Sequence, residues 1–236
     1  MPDLALGDVK VLDLTNLVAG PYCAKLLADY GADVIKVERP GMGDGARRLG
    51  PFPGDLPHRE KSGLFLHLNT NKQSITLDLK TEAAGIVIKE LVKEADIVVE
   101  SFRPGAMAHL GLDYESLRSI NPTLVMTSIS NFGQTGPYRD YRLADVMVYG
   151  MGGEMYSTGI AEREPVKLGL NVLLYQAGAT ASVATMGALF AAREQGIGQH
   201  VDVSIMETQA GSIDRRMSAL IGFQYTGEIT GRNPLG

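Results

Sequence analysis

Apolar and polar positions along this chain switch repeatedly between a period of two and a period near 3.6. Val9-Lys10-Val11-Leu12-Asp13-Leu14 predicts a strand. Ala19-Gly20-Pro21 turns the chain, and Pro21 suits the first turn of a helix. That helix runs through Ala24, Leu26, Leu27 and Ala28 and stops at Gly31. Asp33-Val34-Ile35-Lys36-Val37-Glu38 predicts the next strand, which makes a βαβ unit with parallel strands.

Gly41 to Ser62 has repeated Gly and Pro and no apolar period, so it reads as a long functional or mobile loop. Gln73 to Leu79 predicts a strand, and Thr81 caps a helix carrying Ile86, Val87, Leu91 and Val92. Ala95–Glu100 and Leu124–Ile129 predict two more strands. A helix rich in small residues is expected from Tyr175 to Glu194, ended by Gly196. Val201–Ser204 predicts a short strand and Ile205–Leu220 a last helix, followed by loop chemistry from Thr230 to Gly236. The expected fold is α/β: a Rossmann-like, mostly parallel sheet with helices on both faces.

Composition narrows the function. The chain has 236 residues, 44% hydrophobic and 21% charged, which excludes a disordered chain. Cys23 is the single cysteine, so a disulfide scaffold and a cysteine zinc site are both excluded. A reducing, cytoplasmic setting is the default expectation, with no metal. With 22 basic and 27 acidic residues, no basic excess exists for nucleic acid. The apolar stretches are short or interrupted, so no membrane-spanning helix is expected.

An open parallel sheet binds ligands beyond the C-terminal ends of its strands. The first such turn, Thr15 to Tyr22, lacks the G-x-G-x-x-G spacing of dinucleotide sites, and Glu38 alone is a weak ribose-binding acid. Other candidate loops are Asn69-Thr70-Asn71-Lys72, Ser101-Phe102-Arg103-Pro104-Gly105 and Arg39-Pro40. A planar guanidinium forks onto phosphate or stacks on a purine. Taken singly, each loop also reads as an ordinary turn.

Several blocks in order carry a resemblance. Leu12-Asp13-Leu14-Thr15 with Ala19-Gly20-Pro21, Gly31 to Pro40, Asn69 to Ile75 and Glu100 to Gly105 come first. Asn121-Pro122, Gly133-Gln134-Thr135-Gly136-Pro137 and Gly196 to Val203 follow. From about Gly7 to Met206 the chain resembles the family III CoA-transferases, such as formyl-CoA transferase and carnitine CoA-transferase, and the related α-methylacyl-CoA racemase. The resemblance implies CoA or an acyl-CoA as substrate rather than a permanent cofactor, and a carboxylic acid as the other reactant. It also implies two interlocked chains, with residues 1–236 forming the CoA-binding large domain and a second small domain absent. By position, Val18 and Ala19 line the thioester end and Arg39 contacts the adenine side. Leu68, Asn69, Asn71 and Lys72, with Ser101, Phe102 and Arg103, hold the nucleotide and diphosphate. Arg142 matches a basic CoA contact. His109 is a weaker candidate, equally readable as a helix-surface histidine.

The catalytic group of that family is an aspartate four residues before a glycine that matches Gly178, which places Leu174 at its position. From Pro165 to Arg193 there is no Asp or Glu. The racemase histidine position holds Ala144. Three readings follow. The chain is a subunit that binds CoA beside an Asp-bearing partner chain, or an active transferase using Asp145, or a nucleotide-binding or interaction module. Asp145 also reads as a helix cap or ion-pair residue. Tyr175 and Ser204 have no base partner in sequence.

Overall fold

In a computed structural model, residues 4–210 and 215–229 are described. Six strands form one sheet: β1 Lys10–Leu14, β2 Asp33–Glu38, β3 Lys72–Thr76, β4 Ile97–Glu100, β5 Val125–Ser130 and β6 His200–Ser204. All pairings are parallel and the order is β3-β2-β1-β4-β5-β6. β4 and β5 are buried along their whole length because helices cover both faces. The edge strand β3 is half-exposed and accordingly polar.

The helices are α1 Ala19–Asp29, α2 Gly63–Leu68, α3 Glu82–Val92, α4 Ala106–His109 and α5 Tyr114–Arg118, then α6 Asp145–Met151, α7 Glu154–Ser157, α8 Val172–Gln195, α9 Ile205–Ala210 and α10 Arg215–Thr226. Thr81 caps α3 by accepting the Ala84 N–H, as expected. The loop from Gly41 to Ser62 contains two short 3-10 turns, Gly45–Arg48 and Pro53–Asp55, and Ser62 caps α2. The strand expected over Gln73–Leu79 is instead Lys72–Thr76. The helix expected over Ile205–Leu220 appears as α9 and α10, with 211–214 outside the described residues. The tail from Thr230 to Gly236 lies outside them too.

One face of the sheet packs Val11, Val34 and Val99 against α1 and α8 through Ala24, Leu27 and Ala177. The other packs Leu12, Val98 and Met126 against Ile88, Leu112 and Leu117. The small residues of α8 bring it close to α1. A Cβ on Gly178 would lie 2.5 Å from the Ala19 carbonyl oxygen, so no side chain fits there. By length and composition α8 is one helix, among the described residues, apolar enough to cross a membrane, and it packs here as a core helix. Its hydroxyls look like interruptions in sequence, but Thr180, Ser182 and Thr185 donate back to the carbonyls of Gln176, Ala179 and Ala181. Ser182 and Thr185 lie on the buried face with Ala177, Ala181 and Ala188, and Thr185 also meets the Thr127 hydroxyl of β5 at 2.7 Å. Cys23 sits in the same core, where burial pushes its thiol up to about 12.

A buried ionic cluster ties β1, β2 and β3 to the loop after β2. Lys36 Nζ lies 2.8 Å from Asp44 Oδ2 and 3.7 Å from Asp13 Oδ2, and donates to the Thr15 carbonyl. Lys72 Nζ lies 2.8 Å from Asp13 Oδ2. Burial alone raises the Asp13 carboxyl, but Lys36 and Lys72 overcome it and hold the group well below the usual carboxylate range. Beside the cluster, Glu38 accepts a two-pronged contact from Arg47, at 2.7 Å and 2.8 Å, and a bond from Ser74. Burial opposes the Glu38 charge, and Arg47 with the Asp44 amide and Ser74 brings its pKa to about 2.

Both carboxyls are lowered on folding, so their stabilisation is complete above the ordinary carboxylate range and is lost as pH falls. For Glu38 that window runs from about 4.5 down to about 2. Urea unfolding midpoints should drop across this window, and Glu38→Gln should drop less steeply than the wild type. Equal slopes would assign the acid sensitivity elsewhere.

Candidate functional site

The strand order reverses between β1 and β4, and the chain leaves these strands in opposite directions. A cleft of about 620 Å³ opens there, within the usual range for ligand sites. A second hollow of about 480 Å³ lies between α3 and the start of β1, against Ile86, Val87 and Lys10. It is remote from the C-terminal strand ends, and no unpartnered buried side chain lies in it.

The turn after β1 makes one wall of the cleft. Asp13 Oδ1 accepts the Thr15 N–H at 2.9 Å and the Thr15 hydroxyl. Leu17 is left-handed, with φ 69°, and its N–H donates to Asp44 Oδ1 at 3.0 Å. Asn16 N donates to Ser101 Oγ at 3.1 Å, joining this turn to the loop after β4. A Cβ at Gly20 would meet Thr15 at 2.4 Å, so glycine lets α1 start this close to the turn. Val18 precedes α1 without a side-chain cap, and the first turn of α1 has no acid. The positive end of the helix therefore faces the cleft uncompensated.

The loop after β4 makes the second wall. Glu100 is buried and its Oε2 accepts the Phe102 N–H at 2.7 Å. Gly105 is left-handed, with φ 83°, and Arg139 packs against its open face. Arg103, Arg139 and Arg142 all line the cleft. Ser130 ends β5 as a third element, and its buried hydroxyl has no partner among the described residues. Asp145 Oδ2 pairs with Lys167 at 2.7 Å, while its Oδ1 is buried without a partner among the described residues. Leu173 and Leu174, in the first turn of α8, close the apolar end. An anionic head beside the guanidiniums and an apolar tail beside α8 suit these walls.

The structure therefore brings together Val18, Ala19, Ser101, Phe102, Arg103, Arg142, Asp145 and Leu174. It does not bring Arg39, Leu68, Asn69, Asn71 or Lys72 into the cleft lining. Leu68 is fully buried beside Val18 and Ala46. Asn69 donates to the Phe65 carbonyl and accepts from Lys72, and Asn71 donates to Asp29. Lys72 spends its three ammonium protons on Asp13, the Pro21 carbonyl and Asn69, at 2.8, 2.8 and 3.0 Å. Arg39 is exposed after β2. His109 is exposed, and its Nδ1 folds back to the Gly105 carbonyl at 2.7 Å. Ser204 caps α9 by accepting the Glu207 N–H.

Tyr175 packs edge-on to Tyr22 and near His67, and burial pushes its phenol up, away from nucleophilic character. Glu38 is committed to Arg47 and Ser74. Sequence reasoning missed Asn16, Ser130 and Arg139. Ser130 was readable as the last residue of β5, at the same sheet edge as Glu100. Among the described residues, no group of three or more His, Cys, Asp or Glu is placed to hold a metal ion.

Lys72→Met tests the internal role of this lysine. It removes the nearer of the two ammonium groups that face the buried Asp13 carboxylate, and ligand-free stability should fall by roughly 3–5 kcal/mol in urea unfolding. An unchanged ligand-free stability would remove that role.

The family model CoA-transferase family III matches residues 6–234. Succinate–glutarate CoA-transferase of Agrobacterium fabrum is 41% identical over 92% of this chain and 55% of its own length. The succinyl-CoA–L-malate CoA-transferase beta subunit of Chloroflexus aurantiacus is 36% identical over 87% of the chain and 50% of its own length. A CaiB/BaiF family protein from Brucella suis superposes with a TM-score of 0.88 at 37% identity, covering 97% of this chain and 59% of that one. The chain thus spans about half the length of the curated relatives it matches.

Proposed function

The chain belongs to CoA-transferase family III, and from that premise we propose that it binds CoA or an acyl-CoA in the β1/β4 cleft. It takes part in moving CoA between carboxylic acids together with a second CoA-transferase-like chain that carries the aspartate. Residues 1–236 act as the CoA-binding large domain. Arg103, Arg139 and Arg142 face the phosphates, with Ser101 and Phe102 beside them, and Val18, Ala19 and Leu174 face the thioester. A cytoplasmic setting suits a CoA-ester substrate and the buried, unpaired thiol of Cys23.

The observation that carries the reading is the pairing of this cleft with Leu174 at its apolar end. Transfer of this kind begins when a carboxylate oxygen attacks the thioester carbon. The C–O bond forms, the C–S bond breaks, and a mixed anhydride and CoA thiolate result. The thiolate then attacks the enzyme acyl carbon of the anhydride, releasing the first acid. The acceptor carboxylate attacks the enzyme thioester and expels CoA thiolate, which then attacks the acceptor's acyl carbon in the new anhydride and frees the enzyme carboxylate. Leucine offers no oxygen for any of these steps.

Asp145 supports a second reading, in which it supplies the carboxylate. Its unpartnered Oδ1 lines the cleft in favour of this reading. Against it, Lys167 holds the other oxygen at 2.7 Å.

Calorimetric titration should show binding of CoA and none of NAD, and Arg103→Ala should weaken CoA binding about tenfold or more. Binding of NAD without CoA would overturn the reading.

Intact-mass analysis of this chain alone with acyl-CoA should show no hydroxylamine-labile adduct. Such an adduct, lost in Asp145→Asn, would establish the second reading. Leu174→Asp should either restore adduct formation or destabilise the chain by a few kcal/mol, on the order expected for a buried unpaired acid. An unchanged stability with no adduct would remove position 174 from the chemistry.

A further inference from the structure

Beneath the cleft runs a hydrogen-bonded chain that the transfer reading does not use. Glu100 is 3% exposed and lies under the Ser101–Arg103 loop. Its Oε2 accepts the Phe102 N–H. Its carboxyl group also meets the Ser128 hydroxyl, on the register partner in β5. Ser128 Oγ lies 2.8 Å from Nε2 of His200, the first residue of β6. His200 is exposed at the sheet edge and stacks on Tyr114 of α5, with ring centroids 5.3 Å apart. One hydroxyl thus joins a titratable group at the surface to another beneath the ligand loop.

Ser128 has a single proton to give. When Nε2 of His200 carries a proton, it donates to Ser128. Ser128 then donates to Glu100, which favours the ionised carboxylate. When Nε2 is bare, Ser128 donates to it, and Glu100 carries a proton that it donates to Ser128. Passing from the second arrangement to the first moves the Ser128 proton to Nε2 of His200 and the Glu100 proton to Ser128, which leaves an ionised Glu100 and, with Nδ1 already protonated, a cationic His200; the reverse passage returns both protons. No covalent bond other than O–H and N–H bonds changes. An ionised Glu100 holds the Phe102 N–H roughly twice as strongly as a neutral one.

We propose that Glu100 is a positioning residue for the ligand loop Ser101–Gly105 and that His200, through Ser128, sets its charge. The proposal rests on the reading of the cleft as a CoA site and adds a control on its loop. Burial pushes the Glu100 carboxyl up, with Asp202 repelling its charge as well. Burial also pushes the His200 imidazole down, against Asp202 and Glu115, which favour its cation. Each group resists its own charge, and the shared hydroxyl makes the two charges support one another.

Glu100→Gln keeps both hydrogen bonds without a charge. Its amide oxygen accepts from Phe102, and its NH2 donates to Ser128, which turns Ser128 onto a neutral His200. The His200 midpoint, followed by NMR, should fall by about half a pH unit or more. In a Ser128→Ala background the same substitution should leave it unmoved. Amide exchange at Phe102 should quicken about fivefold in Glu100→Gln, a readout that needs no ligand. The ratio of CoA dissociation constants, variant to wild type, should change about threefold or more between about pH 5.5 and 8. Titration of the CoA phosphates cancels in that ratio. An unmoved midpoint, or one that moves equally without Ser128, overturns the relay. Unchanged Phe102 exchange or a flat ratio overturns the positioning role. A wild type that binds no CoA at any pH overturns the CoA reading instead, and the midpoint and exchange data still decide the relay.

Discussion

Two lysine ammonium groups out of water are tolerable only where carboxylates meet them at close range. Lys36 and Lys72 sit on neighbouring strands, and Asp13 comes from the third strand of the same half-sheet. Asp44 arrives from the loop after β2. The cluster therefore forms only when β1, β2 and β3 are in register and that loop is folded over them. The same two acids then hold the cleft turn, since Asp13 accepts from Thr15 and Asp44 accepts from Leu17 and Ala46. The left-handed Leu17 follows from this arrangement. Its backbone is held from a distance rather than by its own preference.

The cleft divides its work between rigid and adjustable parts. α1 and α8 are packed backbone to backbone at Gly178, so the apolar end is fixed by the core. The Ser101–Gly105 loop is tied to its neighbours by separate hydrogen bonds, Phe102 to Glu100, Asn16 to Ser101 and His109 to Gly105. Binding loops are drawn from such lightly held segments. The guanidiniums of Arg103, Arg139 and Arg142 lie on this adjustable side of the cleft.

The strands and long helices were legible because each is set by local periodicity and local caps. Thr81 at the start of α3 and the left-handed Gly196 after α8 are examples. Helices of four to six residues, such as α2, α4 and α7, carry too little period to be seen. At the site, Ser101–Arg103 was legible because it follows a strand. Lys72 looked similar in sequence, but its partner Asp13 lies 59 positions away, and no local pattern announces that pairing. Arg139 entered the cleft through its packing over Gly105, a contact visible only in three dimensions. The polar residues of α8 were harder to place in sequence for the opposite reason. Their hydroxyls are satisfied within one turn, so they do not interrupt the apolar helix.

The absence of any room at Gly178 bears on position 174 as well. Leu174 stands one turn before that contact, on a helix that cannot slide or roll against α1. A change of side chain at 174 therefore alters the chemistry offered to the cleft while leaving the address of that side chain intact. Side chains of different chemistry can then be exchanged on this turn without moving the wall that carries them.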